Sequence, residues 1–354
     1  MKTKSKQNEI NQQSIVIAAA GTGGHVMPAW ALAEKYLING WKVIWFGTPN
    51  GMENKIINKN NVIFVSLKIG GFRGKKLFTL ITYPLKFFYA LIKSCCWIIK
   101  YKVSNVVVFG GYISLPAGYA AIILKKNLFI HEQNIIYGTS NRLLSPFAKK
   151  IFTAFKVESK YPIYISGNPI RKSILNIKKN FNKTTAKINV LVIGGSLGAK
   201  VFNEKLPQIL LKFPQFNLIH QCGAGKKINL DQMYSGKAKV LEFIEDMSKY
   251  YQWADLVIGR AGAMTIAELE HVGLPSILIP YPYAIDDHQQ KNAEYLSKRG
   301  GAMICKEQDI TLKLEGILQK ISKKQCIEMA KRLKSSNHKN AASLIYTQIE
   351  NNGK

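Results

Sequence analysis

The chain has 354 residues, 47% of them hydrophobic and 20% charged, a globular composition long enough for two domains with separate cores. Its 50 Lys and Arg against 21 Asp and Glu give a net charge of +29, which implies a polyanionic partner; without interleaved stacking aromatics, nucleic acid is not expected to be that partner. The five cysteines form no CxxC pair and no zinc spacing, and the polar start runs into glycines and a histidine; both features argue against a secreted disulfide protein and for a cytoplasmic one.

Ser14 to Ala20 reads as a buried strand that enters Gly21-Thr22-Gly23-Gly24-His25, and Pro28 opens a helix through about Asn39. Trp41 to Phe46 and Asn61 to Leu67 continue a βαβ series. The glycines are not a dinucleotide fingerprint, because Val26 stands where the third glycine belongs, so a nicotinamide dehydrogenase fits poorly. His25 falls at the carboxyl end of a strand, where open α/β sheets bind ligands; a structural and a catalytic histidine are both compatible with that place.

From Asn54 through His131 there is no Asp or Glu, against twelve Lys or Arg. Within it Leu77 to Ile99 is nearly apolar, but Pro84, Lys86 and Lys93 interrupt it, and a lysine at mid-membrane costs about 2.5 to 3.5 kcal/mol. With Pro84 as first helical residue, Lys86, Lys93 and Lys100 share one face. Two readings stand: a core helix with a solvated lysine stripe, or a peripheral face of Leu77, Leu80, Phe88 and Leu91 with Lys86 and Lys93 that docks on anionic lipid, aided by Arg73, Lys75 and Lys76.

Asn105 to Phe109 is a strand ending in Gly110-Gly111-Tyr112, and Asn127 to Ile130 one ending in His131-Glu132-Gln133-Asn134. Strand ends that carry glycines and polar groups should line a ligand site. After Ile163 to Ser166 the polar, lysine-rich stretch from Ser173 to Lys187 marks a domain boundary, placed at 170/171, with a tail helix from about 341 packing back on the first domain. A second α/β series, 171–340, follows: Ile188 to Ile193 with the turn Gly194 to Ala199, then Asn217 to Gln221, Ala238 to Glu242, Trp253 to Ile258 and Ser276 to Pro280. The fourth of these strands enters Gly259-Arg260-Ala261-Gly262 and a helix from Thr265 to His271, a turn whose N–H groups and helix dipole suit a phosphate. Glu268, one turn in, is placed to accept from a ribose, and Gln289-Gln290 offer amides suited to sugar hydroxyls.

Eight stretches in register, GTGGHVMPA (21–29), GGYISLPAG (110–118), HEQN (131–134) with Asn141, GNPIR (167–171), GGSLGA (194–199), FIEDM (243–247), RAGAMTIAE (260–268) and HQQKNA (288–293), resemble the MurG family, the membrane-associated transferases that add N-acetylglucosamine to lipid I. The resemblance covers nearly the whole chain. It implies the GT-B fold, two Rossmann-like α/β domains facing across a cleft. It implies UDP-N-acetylglucosamine as donor, undecaprenyl-pyrophosphate-linked lipid I as acceptor, and a peripheral place on the cytoplasmic face of the bacterial inner membrane.

By position, the resemblance implies that the backbone of Ile244 reads the uracil and Glu268 the ribose. Ser196 and the turn from Ala263 through Met264 to Thr265 receive the diphosphate, Ile266 and Ala267 continue the same donor-binding run, and Arg171 helps hold the nucleotide. Gln289 and Gln290 grip the sugar, with Asn134, Thr22, Gly23 and Gly24 closing from the first domain, while Gly110, Gly111, Tyr112, Ser114 and His131 belong to acceptor loops. Leu197, Ala261 and Leu115 depart from the family's usual Gln, Ser and Gly; the first two are expected to remove polar groups near the phosphates. No DxD-like pair stands at a strand end, so no metal or other cofactor is expected, and helix dipole, backbone N–H groups and Arg171 take the leaving-group charge. An imidazole of ordinary pKa is mostly neutral near pH 7, so His25 is the candidate general base and Glu132 the next. Three other readings remain: a glycolipid synthase, a UDP-N-acetylglucosamine 2-epimerase of the same fold, and a non-catalytic membrane scaffold.

Overall fold

The computed structural model describes residues 12–57, 61–71, 77–181, 187–333 and 337–351. They form two compact units, Met1–Ile170 with Asn337–Lys354, and Arg171–Ser336.

Unit 1 carries strands β1 (Ser14–Ala18), β2 (Lys42–Gly47), β3 (Ile63–Ser66), β4 (Asn105–Val108), β5 (Asn127–Glu132), β6 (Lys150–Thr153) and β7 (Ile163–Ile165). They pair in the order β3-β2-β1-β4-β5-β6-β7, every pair parallel. A parallel sheet must be covered on both faces, which is why β1 is apolar at four of its five positions, all but Ser14, and buried throughout. Its alternate residues serve different cores. Val16 and Ala18 pack with Ala90, Ile98, Ala117 and Ala120, and Ile15 and Ile17 with Val26, Leu32 and Tyr36.

The helices of unit 1 are α1 (Gly23–Ile38), α2 (Glu53–Ile56), α3 (Leu77–Lys100), α4 (Ser114–Ile123) and α5 (Thr139–Leu144). Helix α1 starts five residues before Pro28, where the sequence had suggested a start. Pro28 lies inside it, and its missing N–H spares the carbonyl four residues back without breaking the helix. The consequence is that Gly23, Gly24 and His25 form the first turn. Strand β6, which the sequence reading left out, is a four-residue run between lysines and Ala154, too short for periodicity to announce.

Helix α3 likewise begins before Pro84, at Leu77. The expected lysine face does not form: Lys93 turns inward and its Nζ donates to Ser66 O at 2.8 Å, while Leu91 and Phe87 are half-buried against the sheet. What faces outward is an apolar row of Leu85, Phe88, Tyr89, Ile92 and Ile99, with Lys86 and Lys100 exposed beside it. Arg73, Lys75 and Lys76, and the side chains of Leu77 and Leu80, lie outside the described residues. No described helix is long and apolar enough to cross a membrane.

Unit 2 has strands β8 (Ile188–Ile193), β9 (Phe216–Gln221), β10 (Ala238–Leu241), β11 (Leu256–Gly259), β12 (Ser276–Leu278) and β13 (Ala302–Ile304), again all parallel, in the order β10-β9-β8-β11-β12-β13. Strand β13 is three residues behind two glycines and carried no sequence signal. Helices α6 (Lys172–Leu175), α7 (Lys200–Leu210), α8 (Lys227–Tyr234), α9 (Met247–Trp253), α10 (Ala263–Val272), α11 (His288–Lys298), α12 (Ile310–Gln319) and α13 (Lys323–Arg332) cover it. The chain then returns to unit 1, where α14 (Ala341–Asn351) buries Ile345 and Ile349 beside α1 and Tyr36 Oη donates to Glu350 Oε1 at 3.1 Å.

Candidate active site

In each sheet the strand order reverses once, between β1 and β4 in unit 1 and between β8 and β11 in unit 2. At such a point the loops leaving two neighbouring strands turn to opposite faces and open a crevice at the carboxyl edge. The glycine-rich stretches singled out from the sequence leave these four strands.

In unit 1 the crevice is formed by the loop from β1 into α1 and by Gly110-Gly111 after β4. Thr22 is the N-cap of α1, and the His25 and Val26 N–H groups donate to its carbonyl at 3.1 and 3.2 Å. The preceding first-turn N–H groups of Gly23 and Gly24 have no partner within the helix. Gly110 and Gly111 both have left-handed backbones, φ +84° and +74°. A Cβ on Gly110 would stand 3.6 Å from His25 Nε2 and 3.3 Å from Asn141 Nδ2, and one on Gly111 3.4 Å from His25 Nδ1. The His25 ring therefore lies against bare backbone, and glycine is favoured there by its left-handed conformation. Tyr112 leans over Gly21, its hydroxyl 3.8 Å from where a Cβ on Gly21 would be.

Glu132 has little freedom to act as a base. Its Oε1 accepts from Asn134 N and Nδ2 at 3.0 and 3.3 Å, and its Oε2 from Gly138 N at 2.9 Å and Asn141 Nδ2 at 2.8 Å. Burial pushes its pKa up against the pull of these four donors. The carboxylate organises the loop after β5. His131 and Ser114, expected in acceptor loops, are also supports, because both side chains are fully buried. Ser114 Oγ donates to Gly110 O at 2.7 Å. His131 Nε2 lies 3.1 Å from Gly167 O and its Nδ1 3.0 Å from Gln133 Nε2. Burial holds its pKa down at about 4, so the ring is neutral, donating through Nε2 and accepting at Nδ1.

In unit 2 the crevice lies between the turn Gly194 to Ala199, after β8, and the turn Arg260 to Gly262, after β11. Gly198 has φ +69°, and a Cβ there would meet Cys222 O at 2.0 Å. Ser196 and Leu197 are exposed on this turn. Gly262 is the N-cap of α10. The side chains of Ala263, Met264, Ile266 and Ala267 are buried, and Ile266 N already donates to Gly262 O at 2.9 Å. At the turn expected to receive a diphosphate, that leaves the N–H groups of residues 263 to 265 and the Thr265 hydroxyl; Ile266 and Ala267, further along the expected donor-binding run, lie on the helix's buried face. Ala261 is fully buried too, whereas Leu197 faces solvent. Leu115, the third departure, is half-buried in the core of unit 1.

Arg171 and Glu268 meet. Arg171 Nε and Nη2 both donate to Glu268 Oε1, at 3.2 and 2.9 Å, and Tyr251 Oη donates to Oε2 at 3.1 Å. Glu268 is 4% exposed. A carboxylate has about four acceptor positions; three are filled, and the fourth remains for a hydroxyl. Ile244 is buried at the end of the loop after β10, and among the described residues its N–H and C=O take no partner. Gln289 Oε1 accepts from Tyr281 N at 3.0 Å and Gln290 Nε2 donates to Glu294 Oε1 at 3.0 Å. The first amide thus keeps its donors, and the second its acceptor. Both stand just after two consecutive left-handed aspartates, Asp286 and Asp287, each at φ 54°, which reverse the chain into α11.

Three supporting groups went unread in the sequence. Glu53 is fully buried, takes Thr48 N and Oγ1 at 2.7 Å each, and holds Gly21 N at 3.3 Å. Arg260 lies 4.6 Å over Phe202 and 5.3 Å over Tyr281, donates to Ile279 O and Pro280 O, and pairs with Glu307, so one cation ties together three segments around the crevice. Asn292 Nδ2 donates to Ala261 O at 3.1 Å. A lone acid, arginine or asparagine carries no spacing signal, and only the folded contacts reveal them.

Residues 15–153 match the N-terminal domain of glycosyltransferase family 28, and residues 189–345 its C-terminal domain. The UDP-N-acetylglucosamine--N-acetylmuramyl-(pentapeptide) pyrophosphoryl-undecaprenol N-acetylglucosamine transferase of Psychromonas ingrahamii is 39% identical over 310 residues, 86% of this chain and 87% of that one. The enzyme of the same name from Dechloromonas aromatica is 38% identical over 332 residues, 91% and 94% of the two chains. Among solved structures, Acinetobacter baumannii MurG superposes with a TM-score of 0.80 at 33% identity, over 96% of this chain and 99% of that one. A putative UDP-N-acetylglucosamine 2-epimerase from Listeria monocytogenes reaches 0.66 at 13% identity over 96% of each chain, a likeness of fold alone.

Proposed function

We infer how this site works from what the chain is: it belongs to glycosyltransferase family 28, among the UDP-N-acetylglucosamine--N-acetylmuramyl-(pentapeptide) pyrophosphoryl-undecaprenol N-acetylglucosamine transferases, with their GT-B fold. It is a UDP-N-acetylglucosamine-dependent N-acetylglucosaminyltransferase of peptidoglycan precursor synthesis. The residue roles that follow are our reading. The donor nucleotide binds unit 2, with uracil on the Ile244 backbone, a ribose hydroxyl on the open position of Glu268, and the diphosphate between Ser196 and the start of α10. Gln289 and Gln290 hold the sugar hydroxyls. The departing diphosphate is stabilised by the helix N-terminus, the N–H groups of residues 263 to 265 and Arg171. Thr22, Gly23, Gly24 and Asn134 close on the donor from unit 1, and Gly110, Gly111 and Tyr112 hold the acceptor pyrophosphate.

Transfer is a single in-line displacement that inverts the anomeric centre. His25 takes the proton from the C4 hydroxyl of the muramyl residue as that oxygen attacks, and UDP leaves from the opposite side. The observation that carries this assignment is the His25 ring lying on Gly110 and Gly111 at the reversal point of the unit 1 sheet. The test is UDP release by the purified chain with and without a lipid I analogue. Release only with the analogue is expected. Epimerised sugar formed without acceptor supports the 2-epimerase reading, and equal release with diacylglycerol supports the glycolipid synthase.

The apolar row of α3, flanked by Lys86 and Lys100, supports peripheral binding to an anionic membrane on the cytoplasmic side, where an undecaprenyl-linked acceptor resides. Phe88→Asp is expected to reduce co-sedimentation with phosphatidylglycerol vesicles by about tenfold, since it removes one aromatic ring from the exposed apolar row and adds a repelled charge. Unchanged co-sedimentation would place the membrane contact elsewhere.

A further inference from the structure

The chain crosses from unit 1 to unit 2 after Ile170 and returns before Asn337. On the unit 1 side the two crossings meet in one buried knot. Asn168 N donates to His338 Nδ1 at 2.8 Å, and Asn168 Nδ2 to Gln133 O at 3.1 Å. Gly167 O faces His131 Nε2 at 3.1 Å. The crossings approach so closely that a Cβ on Gly167, whose φ is +83°, would stand 2.7 Å from Asn337 O. His338 is 2% exposed and sits edge-on to Phe155, ring centroids 5.6 Å apart. Beyond the knot only Pro169 and Ile170 precede Arg171, the residue bonded to Glu268. Proline fixes one of their backbone angles, and Ile170 is buried.

We propose that His338 is a positioning residue for transfer: by accepting the Asn168 N–H it binds the outgoing and returning crossings into one fixed anchor. The two chain segments that join the units are thereby held together on the unit 1 side. Without that bond the two crossings are separate strands, and the geometry between a donor on unit 2 and a base on unit 1 is less tightly held. The residues assigned to the nucleotide, Ile244, Glu268, Ser196, 263 to 265 and Arg171, all lie within unit 2. A loosened anchor therefore acts on turnover and spares nucleotide affinity.

The inference rests on the transferase reading above, and the experiment separates the two. Full-length wild type, His338→Leu and His338→Asn are compared by calorimetric titration with UDP and by UDP release on a lipid I analogue, with turnover expressed per UDP-binding site. The Leu variant keeps the ring's bulk but no acceptor; the Asn Oδ1 falls close to the place of Nδ1. Expected are an unchanged UDP dissociation constant in all three chains, kcat lowered on the order of tenfold or more in the Leu variant, and recovery of most of that loss in the Asn variant. Turnover per binding site equal to wild type in the Leu variant would mean that the ring only packs, and overturns the proposal. So does an Asn variant as slow as the Leu variant. A wild-type chain that releases no UDP with the acceptor removes the transferase reading and this proposal with it.

Discussion

Replacing His25 with Ala lowers kcat by about 10² to 10⁴-fold, the range lost with a general base, and leaves the UDP dissociation constant unchanged. The asymmetry follows from where the residues stand. His25 lies in the first turn of α1 in unit 1, and the residues assigned to the nucleotide are all in unit 2. Its own helix supports the role, because the imidazole extends from a turn fixed by the Thr22 carbonyl and lies on glycine backbone. Single-turnover UDP release on a lipid I analogue, with titration by UDP as control, gives both numbers. Full turnover in a variant that binds UDP normally removes His25 from the reaction. Glu132 is a poor replacement, its two oxygens already holding four donors.

Glu268→Ala weakens UDP binding by about 10²-fold, close to 3 kcal/mol, the upper range for one charged hydrogen bond and for stranding a half-buried partner. Two losses combine in it. The ribose loses its acceptor, and Arg171 and Tyr251 lose the carboxylate that orients them. Glu268→Gln keeps an oxygen on that side of the site but no charge for Arg171, so its loss is smaller. Calorimetric titration with UDP measures both, and an Ala variant that binds UDP like wild type would put the ribose elsewhere. In steady state the effect falls on KM for the donor more than on kcat, because the contact is made in the ground state as well as the transition state.

Much of this site was legible because glycine and strand end are both local signals. A short apolar run that stops in Gly-Gly, Gly-x-Gly-Gly or Gly-x-x-Gly announces a parallel strand and its ligand edge together, as at the turns of Gly21, Gly110, Gly194 and Gly262. Glu268 was legible from its distance into a helix. The misreadings share one cause, that burial is not written in residue type. His131 and Ser114 carry polar side chains that are buried in the acceptor loops, Ala261 is buried as well, and Lys93, expected on a basic face, turns to a carbonyl of β3. Pro28 and Pro84 were read as helix starts because proline favours the first turn, yet both helices accommodate it inside. Arg260 and Asn292 lie within stretches that carry the family resemblance, but their contacts, like those of Glu53, run across 30 or so residues of chain or between loops, where no period reaches.

Helix α14 supplies Ile345 and Ile349 to the core of unit 1, and unit 2 is one uninterrupted stretch that precedes it. On the ribosome the order of completion is therefore the reverse of the order of synthesis. The half that emerges first must wait, one face of its sheet lacking part of its cover, until α14 has been translated, while unit 2 is already complete by then.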